Sequence, residues 1–334
     1  AKAEGHYVDP AGGRQTLAEW AEHCWEPMTG HLARKSKARS DELLRVHVLP
    51  RFGAMPLARI DKVAVAEWVN DLHRGRGLAP DTVRKALWEL SRLLAAAVEH
   101  KRLGANPALG LKLPHAHHEE MRIISPDQIE KLASVIDQRY RSWALFASYS
   151  GLRAGEIFGL RRARFNPLRS QVEVREELID VNGHDYFETL LKSKAAYRTV
   201  PLPRFVTTEV EATIPMNAPA DHLVFPAPSG GQMRTNNFRK RYLRPAIEGA
   251  GLGRLRIHDL RHTAVSLWIA AGATAKQVQT WAGHSSITTT YDRYGHLFPG
   301  TEDRVMDVLE RGRGDDEDTH SAAPVLQIVA KDTP

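Results

Sequence analysis

A stretch rich in proline, glycine and histidine, residues 106–120, separates two parts of this 334-residue chain that follow different patterns. Before it, apolar residues recur at helical spacing; after it, alternating residues typical of strands appear among further helices. Since a chain of this length usually folds as about two domains, we interpret the stretch as a linker. The sequence therefore predicts a helical bundle followed by a mixed domain.

The first half contains four helix start signals, each followed by apolar residues at helical spacing. Thr16, Ser40 and Asp61 are predicted N-caps, because short polar side chains accept hydrogen bonds from the free N–H groups of a first turn. Pro80 begins a longer helix, since proline suits the first helical position. We expect the second helix to end before Pro50, because proline cannot donate a hydrogen bond inside a helix. These signals predict a compact four-helix bundle.

The second half combines helices with a small antiparallel sheet. Ser125 precedes one predicted helix, and another ends at Gly151. Asn182-Gly183 is typical of a two-residue hairpin turn between strands. The strands are predicted within residues 172–179, 186–190 and 198–202. The fold class is therefore mainly α, with an α+β second domain.

Composition excludes several classes of protein. Apolar residues make up 42% and charged residues 26%, which is typical of a folded chain. The net charge of +6 suits a nucleic-acid partner without proving one. Cys24, the single cysteine, excludes an intrachain disulfide and a cysteine-rich zinc site. No apolar run approaches the roughly 20 residues of a membrane span, and no signal peptide is visible, so we expect an intracellular, soluble protein.

Short motifs in the second half combine side chains suited to phosphate chemistry. In Ser150-Gly151-Leu152-Arg153, the arginine follows a helix-breaking glycine and begins a new helix, whose free N–H groups also favour an anion. In His258-Asp259-Leu260-Arg261-His262, the first histidine and the arginine are three residues apart and share a helix face. Gly283-His284 and Tyr294-Gly295-His296 follow. His258 and His262 also have zinc-protease spacing, but that motif requires glutamate at the position of Asp259.

In this order the motifs resemble the tyrosine recombinase, or phage integrase, family. The family pattern is an arginine in T/S-G-L-R-x-G-E, a lysine in a β-hairpin, H-x-L-R-H, G-H and Y-x-H, and all five elements lie within residues 150–296. Residues 47–53 and 56–60 are similar to the family's core-binding domain. The chain looks most like integrases of phages or mobile elements of high-GC bacteria, in which a small arm-type DNA-binding domain usually precedes this point.

The resemblance implies a division of the chain into five segments. They are an N-terminal extension or linker (1–13), a helical core-binding DNA-binding domain (14–112), an interdomain linker (113–124), a catalytic domain (125–310) and a C-terminal tail (311–334).

The resemblance also implies an enzyme that cuts and rejoins DNA through a 3′-phosphotyrosyl intermediate, with no metal or cofactor. The implied catalytic residues are Arg153, Lys192, His258, Arg261, His284 and the nucleophile Tyr294. Arginine suits the phosphate because its planar fork binds two oxygens at once. His258 is expected to assist removal of the tyrosine proton, and His284 to hydrogen-bond the phosphate. A phenol with a pKa near 10 needs such a cationic pocket to become a nucleophile.

Some of these assignments have competitors. Lys194 lies beside Lys192 on the hairpin, and either could protonate the leaving 5′-oxygen or simply contact phosphate. The acid role requires a pKa lowered from about 10.4. Tyr291 competes with Tyr294, although only the latter matches Y-x-H. His262 is interpreted as a packing residue of the helix or a contact behind the site.

Basic residues outside the motifs are candidate DNA contacts that position the duplex without reading its sequence. They are Lys35, Lys37 and Arg39 in the first half, and Arg234, Arg239, Lys240, Arg241 and Arg244 in the second. The competing interpretation of the second group is a solvated helix face.

The expected partners are double-stranded DNA, three further copies of the chain in a tetramer on synapsed DNA, a host DNA-bending protein and a directionality factor. The free protein is expected to be a monomer or weak oligomer in the bacterial cytoplasm, associated with the nucleoid and not with a membrane. Alternatives are a Xer-type resolvase, a type IB topoisomerase and, in a different class, a non-catalytic DNA-binding protein.

The C-terminal tail contains two contrasting parts. The acidic run Asp315–Asp318 is expected to be solvated. Residues 324–330 are apolar enough for a strand but too few for a core. Either this segment pairs with a sheet edge of a neighbouring protomer, or the whole tail is disordered.

Overall fold

The computed structural model describes residues 12–115, 121–181, 183–188 and 194–298, together with Met306. The first half is helical. Its helices are α1 (Leu17–Thr29), α2 (Arg34–Leu43), α3 (Leu49–Phe52), α4 (Lys62–Asn70) and α5 (Pro80–Glu99). Their buried faces form one core, centred on residues such as Trp20, Phe52 and Leu90.

The second half is a helical body carrying two small antiparallel sheets. Its helices are α6 (Pro126–Val135), α7 (Arg141–Ser150), α8 (Ala154–Phe158), α9 (Arg204–Glu211), α10 (Thr235–Phe238), α11 (Arg244–Gly249), α12 (Ile257–Ala270), α13 (Ala275–Ala282) and α14 (Ile287–Tyr294). The strands are β1 (Phe165–Asn166), β2 (Gln171–Val174), β3 (Glu177–Val181), β4 (His184–Glu188) and β5 (Arg198–Pro201). A mainly α fold with antiparallel strands is confirmed.

The strand prediction needs one correction. The alternation over residues 172–179 does not form one strand but divides between two sheets. β2 lies between β1 and β5, whereas β3 pairs with β4 in a separate two-stranded sheet. The predicted hairpin is present, with Val181 opposite His184. The alternation of apolar and polar residues indicates that one face of a strand is buried, but it does not indicate which strand is the pairing partner. Residues 189–190, Lys192 and the predicted strand at 324–330 lie outside the described residues.

The second helix also differs from its prediction. It begins at Arg34, and Ser40 lies inside it, where its hydroxyl donates to Glu89 Oε1 at 2.7 Å. The helical path also continues past Pro50. A π-helical segment over Leu44–Val48 follows α2, and α3 then begins at Leu49, which places Pro50 in the first turn of α3. In a first turn the missing N–H of proline costs nothing. The caps Thr16, Asp61 and Ser125 are confirmed.

The two halves meet at the β3–β4 hairpin. The Arg34 guanidinium of α2 lies 4.9 Å from the ring centre of Tyr186 on β4. A groove runs beneath this contact and is lined by Lys35 of α2, Arg153 and Arg239. The fold therefore places a basic helix of the first half beside the predicted site of the second. Among the described residues, no helix is long and apolar enough to cross a membrane.

Candidate active site

Arg153 stands at the N-cap of α8, directly after the turn that ends α7. Gly151 makes this turn with φ of 61°, and a Cβ there would lie 2.4 Å from the Trp268 ring, so only glycine fits. The Arg153 side chain donates to Glu156 Oε1 at 2.9 Å, while its backbone N–H donates to Oε2 at 2.7 Å. The guanidinium is thus oriented while 40% of the side chain remains exposed to a ligand.

Arg261 is buried on α12 and links the ends of two other helices. It donates to the Gly151 carbonyl and to the Ala282 carbonyl, each at 2.6 Å. Burial, followed by the like charge of Arg153, lowers the pKa of Arg261 to about 9, so it remains a cation at neutral pH. Two guanidinium groups therefore lie close enough for their charges to repel each other, and a nearby anion such as a phosphodiester would relieve this repulsion.

His284 follows the left-handed Gly283 that ends α13. Its Nδ1 lies 3.0 Å from Thr290 Oγ1, and its ring is stacked on Tyr294 at a centroid distance of 6.2 Å. Burial, with the nearby Arg261, lowers the pKa of His284 to about 4. The ring is neutral near neutral pH, so it can donate one hydrogen bond without adding charge.

Tyr294 ends α14, is only 1% exposed, and belongs to a buried cluster that includes Val265 and Ile269 of α12. Burial raises the pKa of its hydroxyl, while Arg261 and Arg293 act in the opposite direction. Tyr291, the competing nucleophile, is 54% exposed, and its ring lies on Phe298 at the surface. Of the two tyrosines, Tyr294 is the one that lies with the arginines and histidines.

His258 and His262 lie one turn apart on α12, with ring centres 4.7 Å apart. His258, expected to take the tyrosine proton, lies in the first turn of α12, on the helix face that it shares with Arg261. Partial burial, followed by the neighbouring His262, lowers the pKa of His258 to about 4. The Tyr294 hydroxyl instead lies 2.6 Å from Nδ1 of His262. The sequence predicted His262 only as a packing residue or a contact behind the site, and this contact with Tyr294 was not predicted.

The structure thus brings five predicted residues together: Arg153, His258, Arg261, His284 and Tyr294. Lys192 lies outside the described residues, as does the Lys194 side chain. The described residues contain no group of three or more His, Cys, Asp or Glu side chains arranged to hold a metal ion.

Sequence reasoning also missed two residues beneath the site. Arg198 of β5 binds both carboxylate oxygens of buried Glu156 at 2.9 and 2.8 Å. Burial acts to raise the pKa of Glu156, but the hydrogen bonds and charge of Arg198, with Arg153, outweigh it and lower the pKa to about 2. The three-residue spacing of Glu156 from Arg153 could have indicated the contact between these two residues. Nothing in the local sequence indicated the contact between Glu156 and Arg198.

The predicted DNA contacts have different surroundings. Lys35 and Arg239 line the groove that contains Arg153, and Lys35 and Arg39 also line an adjoining groove beside Lys85 and the 65% exposed Trp88. Others already have partners within the chain: Lys37 with Glu26 and Asp41, Arg39 with Glu42, Arg234 with Asp185 and Arg244 with Glu248. Lys240 and Arg241 are exposed, on other faces of their helix.

Comparisons with known proteins identify the family of the chain. Residues 122–300 match the phage integrase family, and residues 16–73 match the phage integrase N-terminal SAM-like domain. The putative prophage phiRv2 integrase of Mycobacterium tuberculosis (strain H37Rv) is 25% identical over 315 residues, covering 90% of this chain and 81% of that protein.

Solved structures share the fold. The Tn1549 transposon integrase in complex with transposon right end DNA aligns with a TM-score of 0.71 and 19% identity, over 90% of this chain and 100% of that chain. A lambda integrase tetramer bound to a Holliday junction aligns with a TM-score of 0.64 and 14% identity, over 95% and 86%. The family match alone spans more than half of the chain and contains every motif of the site. The chain therefore belongs to the phage integrase family of tyrosine recombinases, enzymes that cut and rejoin DNA strands.

Proposed function

We propose that this protein is a site-specific integrase in which Tyr294 attacks the scissile phosphate of an attachment site. The observation that carries the proposal is the position of the buried Tyr294 ring, stacked on His284 and packed along α12, the helix of Arg261. The Tyr294 oxygen forms a bond to phosphorus, and the bond from phosphorus to the 5′-oxygen breaks. The 3′-phosphotyrosyl link retains the phosphodiester energy, so the 5′-hydroxyl of a partner strand can reverse the step without ATP.

Each cationic or polar group has a distinct part in this step. Arg153 and Arg261 neutralise charge on the two non-bridging oxygens, and His284 donates a hydrogen bond to one of them. Lys192, on the segment between β4 and β5, protonates the leaving 5′-oxygen. The pocket is arranged before DNA arrives, because both arginines are already held by carbonyl or carboxylate oxygens. No step in this scheme is assigned to a metal ion or cofactor.

The two domains, residues 14–112 and 125–310, would grip opposite sides of the duplex. Lys35 and Arg239 support this view because they line the groove leading to Arg153. Lys37, Arg234 and Arg244 would have to exchange an existing carboxylate partner for phosphate. Lys240 and Arg241 would contact phosphates farther from the cleavage point.

We further propose that recombination proceeds in a homotetramer, as the lambda integrase tetramer on a Holliday junction suggests. A host DNA-bending protein and a directionality factor would complete the assembly on attachment DNA. The substrate places the reaction in the bacterial cytoplasm, at the nucleoid, where phage or mobile-element DNA is integrated or excised.

The test is cleavage of a nicked candidate attachment site, in which the short strand released after attack cannot rejoin. In EDTA, the wild-type protein should accumulate a covalent complex with DNA, and Tyr294→Phe should form none because it lacks the attacking oxygen. Tyr291→Phe is the matched control, since its ring lies at the surface, and it should retain cleavage. Abolished cleavage in EDTA, or covalent complex in the Tyr294 variant, would contradict the mechanism. Relaxation of plasmids without any specific site would favour a type IB topoisomerase.

A further inference from the structure

The Tyr294 hydroxyl has a defined partner inside the protein. Nδ1 of His262 lies 2.6 Å from Tyr294 Oη, and both side chains are buried. His262 continues a stripe of α12 that includes Val265 and Ile269, and these two residues belong to the same buried cluster as Tyr294. The hydrogen bond is therefore held by helix packing on both sides rather than by a mobile surface contact.

The direction of this hydrogen bond follows from the protonation of the two groups. Burial raises the pKa of Tyr294, so the phenol carries its proton at neutral pH and is the donor. Burial lowers the pKa of His262 to about 4; Asp259 acts to raise this pKa, whereas Arg293 and Arg261 lower it further. The imidazole is therefore neutral at neutral pH and can accept. This arrangement places the His262 ring proton on Nε2 and leaves the Nδ1 lone pair for the phenolic hydrogen.

His258 is placed for a different task. It lies one turn before His262 on α12, on the helix face that it shares with Arg261, and the two histidine rings meet edge to face at 4.7 Å. Tyr294 stacks on His284 and lies near His262, with ring centres 5.7 Å apart. The nucleophile thus reaches the second histidine of the motif, while the first remains available for the substrate.

We propose that His262, rather than His258, accepts the proton of Tyr294 as the phosphotyrosyl bond forms, an assignment that rests on the proposed function. The phenolic proton moves to Nδ1 of His262, the Tyr294 oxygen bonds to phosphorus, and the 5′-oxygen leaves with a proton from the general acid. The imidazolium formed returns its proton to Tyr294 oxygen when the partner strand reverses the step. His262 touches a reacting atom and is therefore a catalytic residue in this scheme.

The experiment separates proton removal from protonation of the leaving group. Single-turnover formation of the covalent complex is followed across the neutral to alkaline range on two nicked substrates. One has the normal 5′-oxygen at the scissile bond, and the other has sulfur there, whose thiolate leaves without a proton. The proteins are wild type, His262→Ala, His262→Asn, and His258→Ala as the matched control one turn away. Asparagine retains a hydrogen-bond acceptor near the position of Nδ1 but cannot take a proton.

His262→Ala and His262→Asn should each slow cleavage by about 100-fold at neutral pH. The defect should shrink by about tenfold per pH unit toward the phenol pKa, because the phenolate no longer needs an acceptor. Sulfur in the leaving group should not repair it. His258→Ala should show a defect that does not shrink in this way.

Three results would overturn the assignment: a His262 defect that is constant with pH, its repair by the sulfur substrate, or wild-type cleavage by His262→Asn. An alkaline rescue confined to His258→Ala would give the role to that residue instead. Thermal unfolding and DNA binding of each variant identify proteins that fail to fold, and the asparagine variant keeps the test valid if alanine is not tolerated. Covalent complex formed by Tyr294→Phe would refute the proposed function itself, independently of His262.

Discussion

Arg198 and Glu156 form a buried, two-hydrogen-bond ion pair directly beneath the Arg153 turn, with both side chains 2% exposed. Glu156 also accepts from the backbone N–H of Arg153, and Arg198 Nε donates to the Trp281 carbonyl at 2.7 Å. One pair therefore connects Arg153, the N-cap of α8 and a proposed phosphate ligand, with the end of α13, just before His284. A buried pair of this kind need not increase stability, but breaking it leaves an uncompensated charge.

This pair predicts a specific acid dependence of stability. A carboxyl whose pKa falls from 4.5 to about 2 on folding stabilises the folded state above pH 4.5, and this contribution is lost as pH falls toward 2. This contribution amounts to roughly 3 kcal/mol.

Glu156→Gln should be less stable than wild type by about 3 kcal/mol at neutral pH. Between pH 4.5 and 2, its free energy of unfolding should fall less steeply. Denaturant unfolding at a series of pH values measures both; Glu42→Gln, in an exposed pair with Arg39, is the control. Parallel pH curves for wild type and Glu156→Gln would contradict the prediction.

Gly283 is predicted to be irreplaceable for the position of His284. It has φ of 68°, and a Cβ there would lie 3.0 Å from the Arg198 side chain. Gly272 is a matched control, since it has φ of 89° but nothing within 4 Å of its Cβ position. Alanine at either site should lower the free energy of unfolding by about 1–2 kcal/mol, the cost of a left-handed residue. Only Gly283→Ala should also slow cleavage, because Arg198 must shift; equal cleavage by both variants would argue against this contact.

Lys192 and Lys194, in the segment between β4 and β5, are predicted to differ in the leaving-group step. If Lys192 protonates the 5′-oxygen, Lys192→Ala should lower cleavage of the normal substrate by about 100-fold or more. The sulfur-substituted substrate should restore its rate, because the thiolate needs no proton. Lys194→Ala is the matched control and should have a smaller effect that sulfur does not repair. Restoration seen with Lys194→Ala instead would exchange the two assignments.

The tail is predicted to act between protomers. Truncation after Gly314 removes residues 324–330, which we propose add a strand to a sheet of a neighbouring copy on assembled DNA. Cleavage of a single site by the truncated protein should be unchanged, whereas synapse formation and recombination should both fall. Gel-shift titration and a two-site recombination assay measure these quantities. Unaltered synapsis and recombination would favour the disordered interpretation of the tail.

Local sequence determined much of the secondary structure because a cap and the first turn it stabilises lie within a few residues of each other. Thr16, Asp61 and Ser125 each accept a hydrogen bond from the backbone N–H three residues later, and all three caps were predicted correctly. Ser40 was misassigned because its partner, Glu89, lies on another helix. The strands over residues 172–179 were merged for the same reason, since their pairing partners lie farther along the chain.

The sequence by itself also identified the family, because the five motifs occur in the family's order and spacing, and it named Arg153, Arg261 and Tyr294 as candidate site residues. Only the tertiary structure decided which side chain forms a hydrogen bond with the Tyr294 hydroxyl. That contact joins α12 to α14 across 32 residues, and the Arg198–Glu156 pair joins β5 to α8 across 42. Such contacts depend on how helices and strands pack, and the choice between His258 and His262 requires the position of Tyr294 along α12.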